Sequence, residues 1–205
     1  MTDANHRHSD HPIDPLFLER WSPRAFTGEE MPESELMTIM EAARWAPSSY
    51  NSQPAKFLYA RRGTQHWDRF FGLLGEFNQS WAKDASVLIV LVSNSMMLPP
   101  GRDKPIPSHS HSSDAGAAWA HLALQATRSG WQAHAMVGFD MDRAFAELNV
   151  PQGYRVESAI AIGRQGDKSQ LSEAMQAREV PSSRKPLSEV MLEGGFPAEA
   201  TPRGD

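Results

Sequence analysis

The chain of 205 residues has the length of one substantial domain, with 40% apolar and 22% charged residues. A chain of this size buries enough surface to fold without disulfides or metals, and its composition is globular rather than disordered or fibrous. The formal net charge of −5 provides no basic surplus for electrostatic binding to nucleic acid. The absence of cysteine excludes disulfides, thiol nucleophiles and cysteine-ligated metals.

The two ends of the sequence carry little hydrophobic pattern. Residues 1–13 are polar and histidine-rich and lack the apolar stretch of a signal peptide, so we expect a flexible N-terminal tail and a cytoplasmic protein. No segment of the sequence approaches the ~20 apolar residues of a membrane-spanning helix. Residues 194–205 are interpreted as a flexible C-terminal tail. We therefore predict a single α+β domain over residues 14–193.

Helical and extended patterns alternate within this domain. Apolar residues recur at helical spacing in several segments, which predicts helices over 16–20, 32–46, 67–74, 114–130 and 141–148. Gly75 and Asn78 are expected to end the third of these helices, and Asp140 is a candidate N-cap for the last. Shorter runs, including the aliphatic run 87–92, predict strands at 57–60, 87–92, 133–137 and 156–162.

The segment from Met96 to Ser113 is long and rich in proline and serine. Loops of this length inside a compact domain are usually functional lids or mobile segments. We therefore expect an irregular loop here that lies over a binding site and influences substrate choice.

Two polar clusters flank the helix predicted at 32–46. The first contains Arg20, Ser22 and Arg24 within five residues, and paired guanidinium groups are suited to bidentate hydrogen bonds with phosphate. The second is the segment 47–54, in which short polar side chains lie between two prolines. A charged surface turn and a loop that ends a helix are the alternative interpretations of these two clusters.

Taken together, these strings resemble the nitroreductase family of FMN-dependent oxidoreductases. Five further strings follow in the same order, and the resemblance extends over about residues 14–193. They are Phe77-Asn78-Gln79-x-Trp81, Asp114-Ala115-Gly116-Ala117-Ala118, Gly130, Val137-Gly138-Phe139-Asp140 and Ser183-Arg184-Lys185-Pro186-Leu187. The resemblance implies a central, mostly antiparallel sheet flanked by helices, and a C-terminal arm exchanged in a homodimer.

The resemblance also implies which residues bind FMN. Arg20, Ser22 and Arg184 would bind the phosphate and ribityl end, with Trp21 beside them, and Arg24 would lie near the N1/O2 edge of the flavin ring. Asn78 would contact the pyrimidine side, and the backbone at Val137 and Gly138 would face N5. The opposite subunit would contribute a loop segment consisting of Pro47, Ser48, Ser49, Asn51 and Gln53.

The activity implied by the resemblance is hydride transfer from NAD(P)H through FMN to a small electrophile such as a nitroaromatic or a quinone. The chemistry would lie at flavin N5, without a catalytic side chain. Two alternatives stay open: a specialised flavin enzyme of the same fold that does not use NAD(P)H, and a non-catalytic dimer that binds flavin or another ligand. The sequence departs from residues common in the family at four positions. These departures affect the substrate preference and phosphate affinity that the resemblance would otherwise imply. The positions are Trp21, Ala55, Val137 and Ser182.

The remaining histidines and tryptophans are interpreted mainly as structural residues. His109 and His111 supply too few ligands for a metal site, and no metal is expected. His121 and His134 fall within periodic elements, which favours packed, hydrogen-bonded side chains. Trp67 and Trp119 are expected to pack in the core, whereas Trp81 is left open because it follows the predicted Asn78 contact.

Overall fold

In the computed structural model, which describes residues 6–196, the fold is built around an antiparallel sheet. Over these residues its four strands are arranged in the order β1-β2-β6-β5, and each neighbouring pair is antiparallel. The strands are β1 (Ala55–Arg61), β2 (Val87–Asn94), β5 (Gln132–Met136) and β6 (Tyr154–Gly163). Two short strands, β3 (Met96–Met97) and β4 (Ile106–Pro107), form a separate hairpin. The α+β class and the antiparallel sheet expected from the sequence are confirmed.

Helices cover both faces of this sheet. Their bounds are α1 (Leu16–Glu19), α2 (Glu33–Arg44), α3 (Trp67–Phe71), α4 (Glu76–Ala82), α5 (His111–Arg128), α6 (Met141–Glu147) and α7 (Glu173–Gln176). Short 3-10 turns lie at Ser49–Asn51, Lys168–Gln170 and Leu187–Glu189. The side chain of Asp140 accepts the backbone N–H of Arg143 at 2.9 Å, so the predicted N-cap of α6 is confirmed.

The position of β2 inside the sheet explains why residues 87–92 are all apolar. Successive side chains of a strand point to opposite faces of the sheet. Val87, Ile89 and Leu91 pack with α2 and α5, whereas the alternate side chains, from Leu88 to Val92, pack with α3, α4 and α6. Burial on both faces requires apolar residues at every position from Val87 to Val92.

The sequence patterns misplaced one helix. We expected a single helix over 67–74 and no regular element between Gly75 and β2, but α3 ends at Phe71 and α4 occupies Glu76–Ala82. Extended backbone at Gly75 separates the two helices. The buried face of α4 consists of Asn78, Trp81 and Ala82. These residues have helical spacing, but the polar Asn78 concealed it.

The expected irregular loop at 96–113 is also more ordered than predicted. It contains the β3–β4 hairpin, and α5 already begins at His111. Ser95 anchors the base of the hairpin, since its N–H and its hydroxyl both donate to the Gly153 carbonyl at 2.7 Å. The expectation that this segment influences substrate choice stays a prediction. The two predicted tails lie partly outside the residues described, which exclude residues 1–5 of the N-terminal tail and residues 197–205 of the C-terminal tail.

Candidate functional site

Three arginine side chains lie together where the two ends of the domain meet. Arg20 directly follows α1, and its guanidinium donates to Ser22 Oγ at 3.4 Å. Burial lowers the pKa of Arg20, and the nearby positive charge of Arg184 lowers it further. The pKa of Arg7 is lowered in the same way, first by burial and then by Arg184 and Arg20. These shifts place the three cations close enough to repel one another.

This cluster has the donor set of an anion site. Among the residues that the structure describes, Arg20 and Arg184 form no ion pair with a carboxylate. Arg20 and Ser22 line a cavity of about 370 Å³ together with Trp119, Ala123 and Ala135. Repelling guanidinium groups beside a hydroxyl are stabilised by a bound anion, and phosphate suits their planar donors.

Trp21 lies on the other side of this segment. Its side chain is buried and lines a different cavity, of about 440 Å³, with Lys168 and Glu179. The alternation of an extended segment explains this separation, since the side chains of Arg20 and Ser22 share one side. The structure therefore does not bring the Trp21 side chain to the cavity lined by Arg20 and Ser22.

Arg24 is fixed by a buried carboxylate. Its guanidinium Nη1 lies 3.7 Å from Oε2 of Glu179, whose side chain is only 3% exposed. The other carboxylate oxygen accepts the backbone N–H groups of Arg24 at 2.5 Å and Ala25 at 2.9 Å. Glu179 therefore fixes the backbone at Arg24, and its second oxygen, which has no hydrogen-bond partner among the described residues, lies near the Arg24 guanidinium.

Asn78 and Gly138 are in direct contact. The Asn78 amide donates to the Gly138 carbonyl at 2.8 Å and accepts from the Trp81 indole at 3.2 Å. A Cβ at position 138 would lie 2.7 Å from the Asn78 amide nitrogen, so a side chain there would force the turn or Asn78 to move. The adjacent Val137 side chain is exposed. The buried amide therefore fixes the turn that follows β5.

The polar loop before β1 has an unusual backbone. Tyr50, Asn51 and Gln53 have φ values of 51°, 53° and 48°, in the left-handed region that favours glycine. Such residues cost about 1–3 kcal/mol each and cluster at functional sites. The Ser52 hydroxyl is buried without a hydrogen-bond partner in the part of the chain described. These features distinguish the loop from a simple helix stop.

One side chain from α5 and one within the loop stabilise this backbone. Asp114, in the first turn of α5, accepts the backbone N–H of Ser49 at 3.2 Å and the hydroxyl of Ser110 at 2.9 Å. Within the loop, Ser48 Oγ accepts the N–H of Gln53 at 3.0 Å. Asp114 therefore links the loop to the segment that follows the β3–β4 hairpin.

Within one chain, the structure does not bring all predicted site residues together. Pro47, Ser48 and Gln53 line a cavity of about 220 Å³ with Asp114 and Ala118. None of the residues lining that cavity lines the one with Arg20 and Ser22. Arg184 lines a third cavity, of about 460 Å³, with Arg7. The predicted residues thus form separate groups: Arg20 with Ser22, the Asn78–Gly138 contact, Arg184 beside Arg7, and the serine-rich loop.

Sequence reasoning missed several residues around these groups. Arg7 lay in the predicted tail, and Glu179 lies in a polar stretch without periodicity, so neither had a local signal. Asp114 was noted only as part of a helix start, although its place in the resemblance was an available signal. Ser52 was part of the quoted loop but was not proposed as a site residue.

The histidine and tryptophan interpretations are mostly confirmed. Nδ1 of His121 and of His134 lie within hydrogen-bond distance of the Ala42 and Pro23 carbonyls, at 3.3 and 2.9 Å. Trp67 and Trp119 pack against the two core clusters. The open case, Trp81, is 2% exposed, and its ring centroid lies 4.7 Å from that of His134.

The packing around His134 changes the pKa of its side chain. Burial lowers the pKa of His134, the positive charge of Arg24 adds to this effect, and hydrogen bonding to the Pro23 carbonyl opposes it. Over residues 6–196, no group of three or more histidine and acidic side chains has the arrangement of a metal site. Helices long and apolar enough to cross a membrane are absent from the same residues.

Comparisons with known proteins decide the family. The sequence model of the Nitroreductase family matches residues 18–76. A crystal structure of an oxidoreductase containing FMN is 49% identical and superposes with a TM-score of 0.90, over 96% of this chain and 99% of the other. The chain belongs to the nitroreductase family. It is therefore an oxidoreductase of the nitroreductase family, with the antiparallel sheet and flanking helices expected for that fold.

Three further proteins are similar to this chain over most of its length. An uncharacterized 15.4 kDa protein of Mycolicibacterium smegmatis is 35% identical over 68% of this chain and 95% of its own. An NADH dehydrogenase of Thermus thermophilus is 26% identical over 85% of this chain and 92% of its own. A structure from Desulfovibrio desulfuricans in complex with FMN is 26% identical, with a TM-score of 0.68, over 92% of this chain and 100% of its own.

Proposed function

We propose that the protein is an FMN-dependent oxidoreductase that transfers hydride from NAD(P)H to a small electrophilic acceptor such as a nitroaromatic or a quinone. Family membership, the FMN-containing structure at 49% identity and the relative named NADH dehydrogenase support this proposal. The observation that carries it is the cluster of Arg20, Ser22 and Arg184. A cytoplasmic location is part of the same proposal.

The arginine cluster fits the phosphate of FMN. Arg20 and Arg184 provide fork-shaped donors, Ser22 provides a hydroxyl, and the adjoining cavity of about 370 Å³ has apolar walls from α5 and β5. A phosphate dianion would remove the repulsion between the two guanidinium groups. When bound, FMN supplies the ring nitrogen N5 that accepts and returns hydride.

Other residues of this chain orient the ring and control its charge in the proposal. Arg24, whose backbone Glu179 fixes, would provide positive charge at the N1/O2 edge and favour the anionic reduced flavin. Asn78 would face the pyrimidine side, and the Val137–Gly138 turn would offer its backbone to N5. The hydrogen bond between Asn78 and Gly138 would hold these two parts of the site in a fixed relative position.

The complete site is proposed to form in a homodimer. Pro47, Ser48 and Gln53 line a different cavity from Arg20, and the loop that contains them, with Ser49 and Asn51, would cover the flavin bound to the partner subunit. The C-terminal segment supports this arrangement, since the side chains of Val190 and Met191 are 66% and 69% exposed. These residues would pack on the partner as an exchanged arm.

The spectrum of the purified full-length chain tests the function directly. We expect a yellow protein with flavin absorbance that NADH or NADPH bleaches without oxygen and that a quinone or nitroaromatic restores. Arg20→Ala should release FMN, whereas Arg69→Ala, at an exposed position of α3, should retain it. Failure to take up added FMN contradicts the proposal. Bound flavin that neither nicotinamide reduces favours a specialised flavin enzyme instead.

A further inference from the structure

Arg7 connects the two chain segments that form the arginine cluster. Its Nη1 donates to the backbone carbonyls of Leu18 at 3.2 Å and Arg20 at 2.7 Å. Its Nε donates to the carbonyl of Ser182 at 2.8 Å. One guanidinium therefore bridges the end of α1 and the segment that carries Arg184. These segments are more than 160 residues apart in the sequence.

The bridge acts on both of the proposed phosphate-binding arginines. The contact with the Arg20 carbonyl fixes the backbone from which that side chain projects. Arg184 Nη1 donates to the Ser182 carbonyl at 3.3 Å, the same oxygen that accepts from Arg7. Arg7 therefore fixes the starting points of both side chains through backbone oxygens.

Arg7 also adds positive charge to the cluster. Burial and the neighbouring charges of Arg184 and Arg20 lower the pKa of Arg7, so the three cations interact electrostatically. Guanidinium is the side-chain group suited to this role, since its planar fork of donors serves several acceptors at once while its charge attracts an anion.

We propose that Arg7 is a positioning residue of the phosphate site, which aligns Arg20 and Arg184 and increases the positive field that a flavin phosphate meets. The inference rests on the proposed function and assigns part of the cofactor site to a residue that precedes the matched family region, residues 18–76. Lysine at position 7 would retain the charge, but it lacks the planar fork that bridges three carbonyls.

A comparison of FMN with riboflavin tests this role, because the two ligands differ only in the phosphate. The affinities of full-length wild-type, Arg7→Ala, Arg7→Lys and Arg69→Ala proteins are measured by quenching of flavin fluorescence. We expect Arg7→Ala to weaken FMN binding at least about tenfold, which is about 1.4 kcal/mol, and to change riboflavin binding less than about twofold. Arg7→Lys should recover part of the loss, and Arg69→Ala, at an exposed position of α3, should match wild type.

The outcomes separate this inference from the proposed function. Unchanged FMN affinity in Arg7→Ala overturns the positioning role. An equal loss of affinity for FMN and riboflavin also overturns it, because that pattern indicates general disruption. Urea midpoints of the variants identify such disruption, and Arg7→Lys provides the comparison if Arg7→Ala folds poorly. A wild-type protein that binds neither flavin contradicts the proposed function itself.

Discussion

Glu179 accepts two consecutive backbone N–H groups, those of Arg24 and Ala25, and its second oxygen lies 3.7 Å from the Arg24 guanidinium. The carboxylate is almost fully buried, whereas the Arg24 side chain is 18% exposed. An acid about 155 residues away in the sequence therefore fixes the backbone that follows Ser22. Geometry at the proposed flavin edge depends on this contact.

Removing this carboxylate should destabilise the fold. We expect Glu179→Ala to lower the free energy of unfolding by about 3 kcal/mol, because two backbone donors and a largely buried cation lose their partner. Glu179→Gln should cost about half as much, since its amide oxygen still accepts the N–H groups. Urea denaturation measures both values. Equal, small effects of the two substitutions would contradict the assigned contacts.

A methyl group at position 138 should damage the proposed site. Gly138→Ala places a Cβ 2.7 Å from the Asn78 amide nitrogen, so either the turn or Asn78 must move. We expect FMN affinity and the rate of flavin reduction by NAD(P)H to fall about tenfold or more, which corresponds to about 1.4 kcal/mol. Flavin fluorescence and stopped-flow absorbance measure these quantities.

Gly63→Ala provides the control for a simple loss of stability. Gly63 has φ of +78°, and a Cβ there meets no atom within 4 Å in the part of the chain described. Alanine at this position should cost about 1–2 kcal/mol through backbone strain alone and leave flavin reduction unchanged. If both variants lose activity in proportion to stability, the Asn78–Gly138 contact has no particular role in the site.

His134 should make folding stability depend on pH. Because burial lowers the folded-state pKa of His134, the unfolded chain binds its proton at a higher pH than the folded chain. The contribution of His134 to stability is therefore complete above the unfolded pKa of about 6.5. It is lost as the pH falls from that value towards the lower folded pKa.

We expect the urea midpoint of the wild type to decrease as the pH is lowered from 7.5 to 5.5. In His134→Asn this decrease should be smaller. Asparagine retains a donor for the Pro23 carbonyl but does not titrate. His66→Asn, at an exposed position, should leave the pH dependence unchanged. An identical pH dependence in His134→Asn and wild type would show that other groups cause the acid destabilisation.

Features that depend on neighbouring residues in the sequence were predicted, whereas features that depend on contacts between distant residues were missed. The alternating environment of β2 is encoded locally, since every side chain from Val87 to Val92 must be apolar. Helix α4 was missed because the buried amide of Asn78 interrupts an otherwise readable pattern. Its partners, Gly138 and Trp81, become apparent only in the folded chain.

The same distinction applies to the residues of the candidate site. Arg20, Ser22 and the loop 47–54 were predicted from short strings and family resemblance. Arg7 and Glu179 were not, because each acts through backbone atoms of distant segments, and any sequence provides such atoms. Long-range contacts to the backbone leave no motif, so these residues require a structure to be found.

Asp114 should determine how well the serine-rich loop is ordered. We expect Asp114→Ala to weaken FMN binding about tenfold, because the loop loses the acceptor of the Ser49 N–H and charged hydrogen bonds contribute about 1.5–3 kcal/mol. Asp142→Ala is the matched control, since Asp142 occupies the first turn of α6 and is exposed. Similar flavin affinities for the two variants would argue against a role of Asp114 in the loop.

Mixed dimers test whether the serine-rich loop serves the partner's site. Arg20→Ala alters the proposed phosphate side and Asn51→Ala alters the proposed covering loop, so each homodimer should bind FMN poorly. In a dimer that contains one chain of each variant, one site receives both defects and the other receives neither. We therefore expect the mixed dimer to bind one FMN and recover about half of the wild-type activity per dimer, if the sites are independent.

Co-expression with two different affinity tags isolates the mixed dimer, and flavin absorbance per chain gives its FMN content. If Asn51 instead contacted the flavin of its own chain, each site of the mixed dimer would carry one defect and no intact site would form. Recovery of about half the flavin thus distinguishes a loop that crosses to the partner from one that folds over its own subunit.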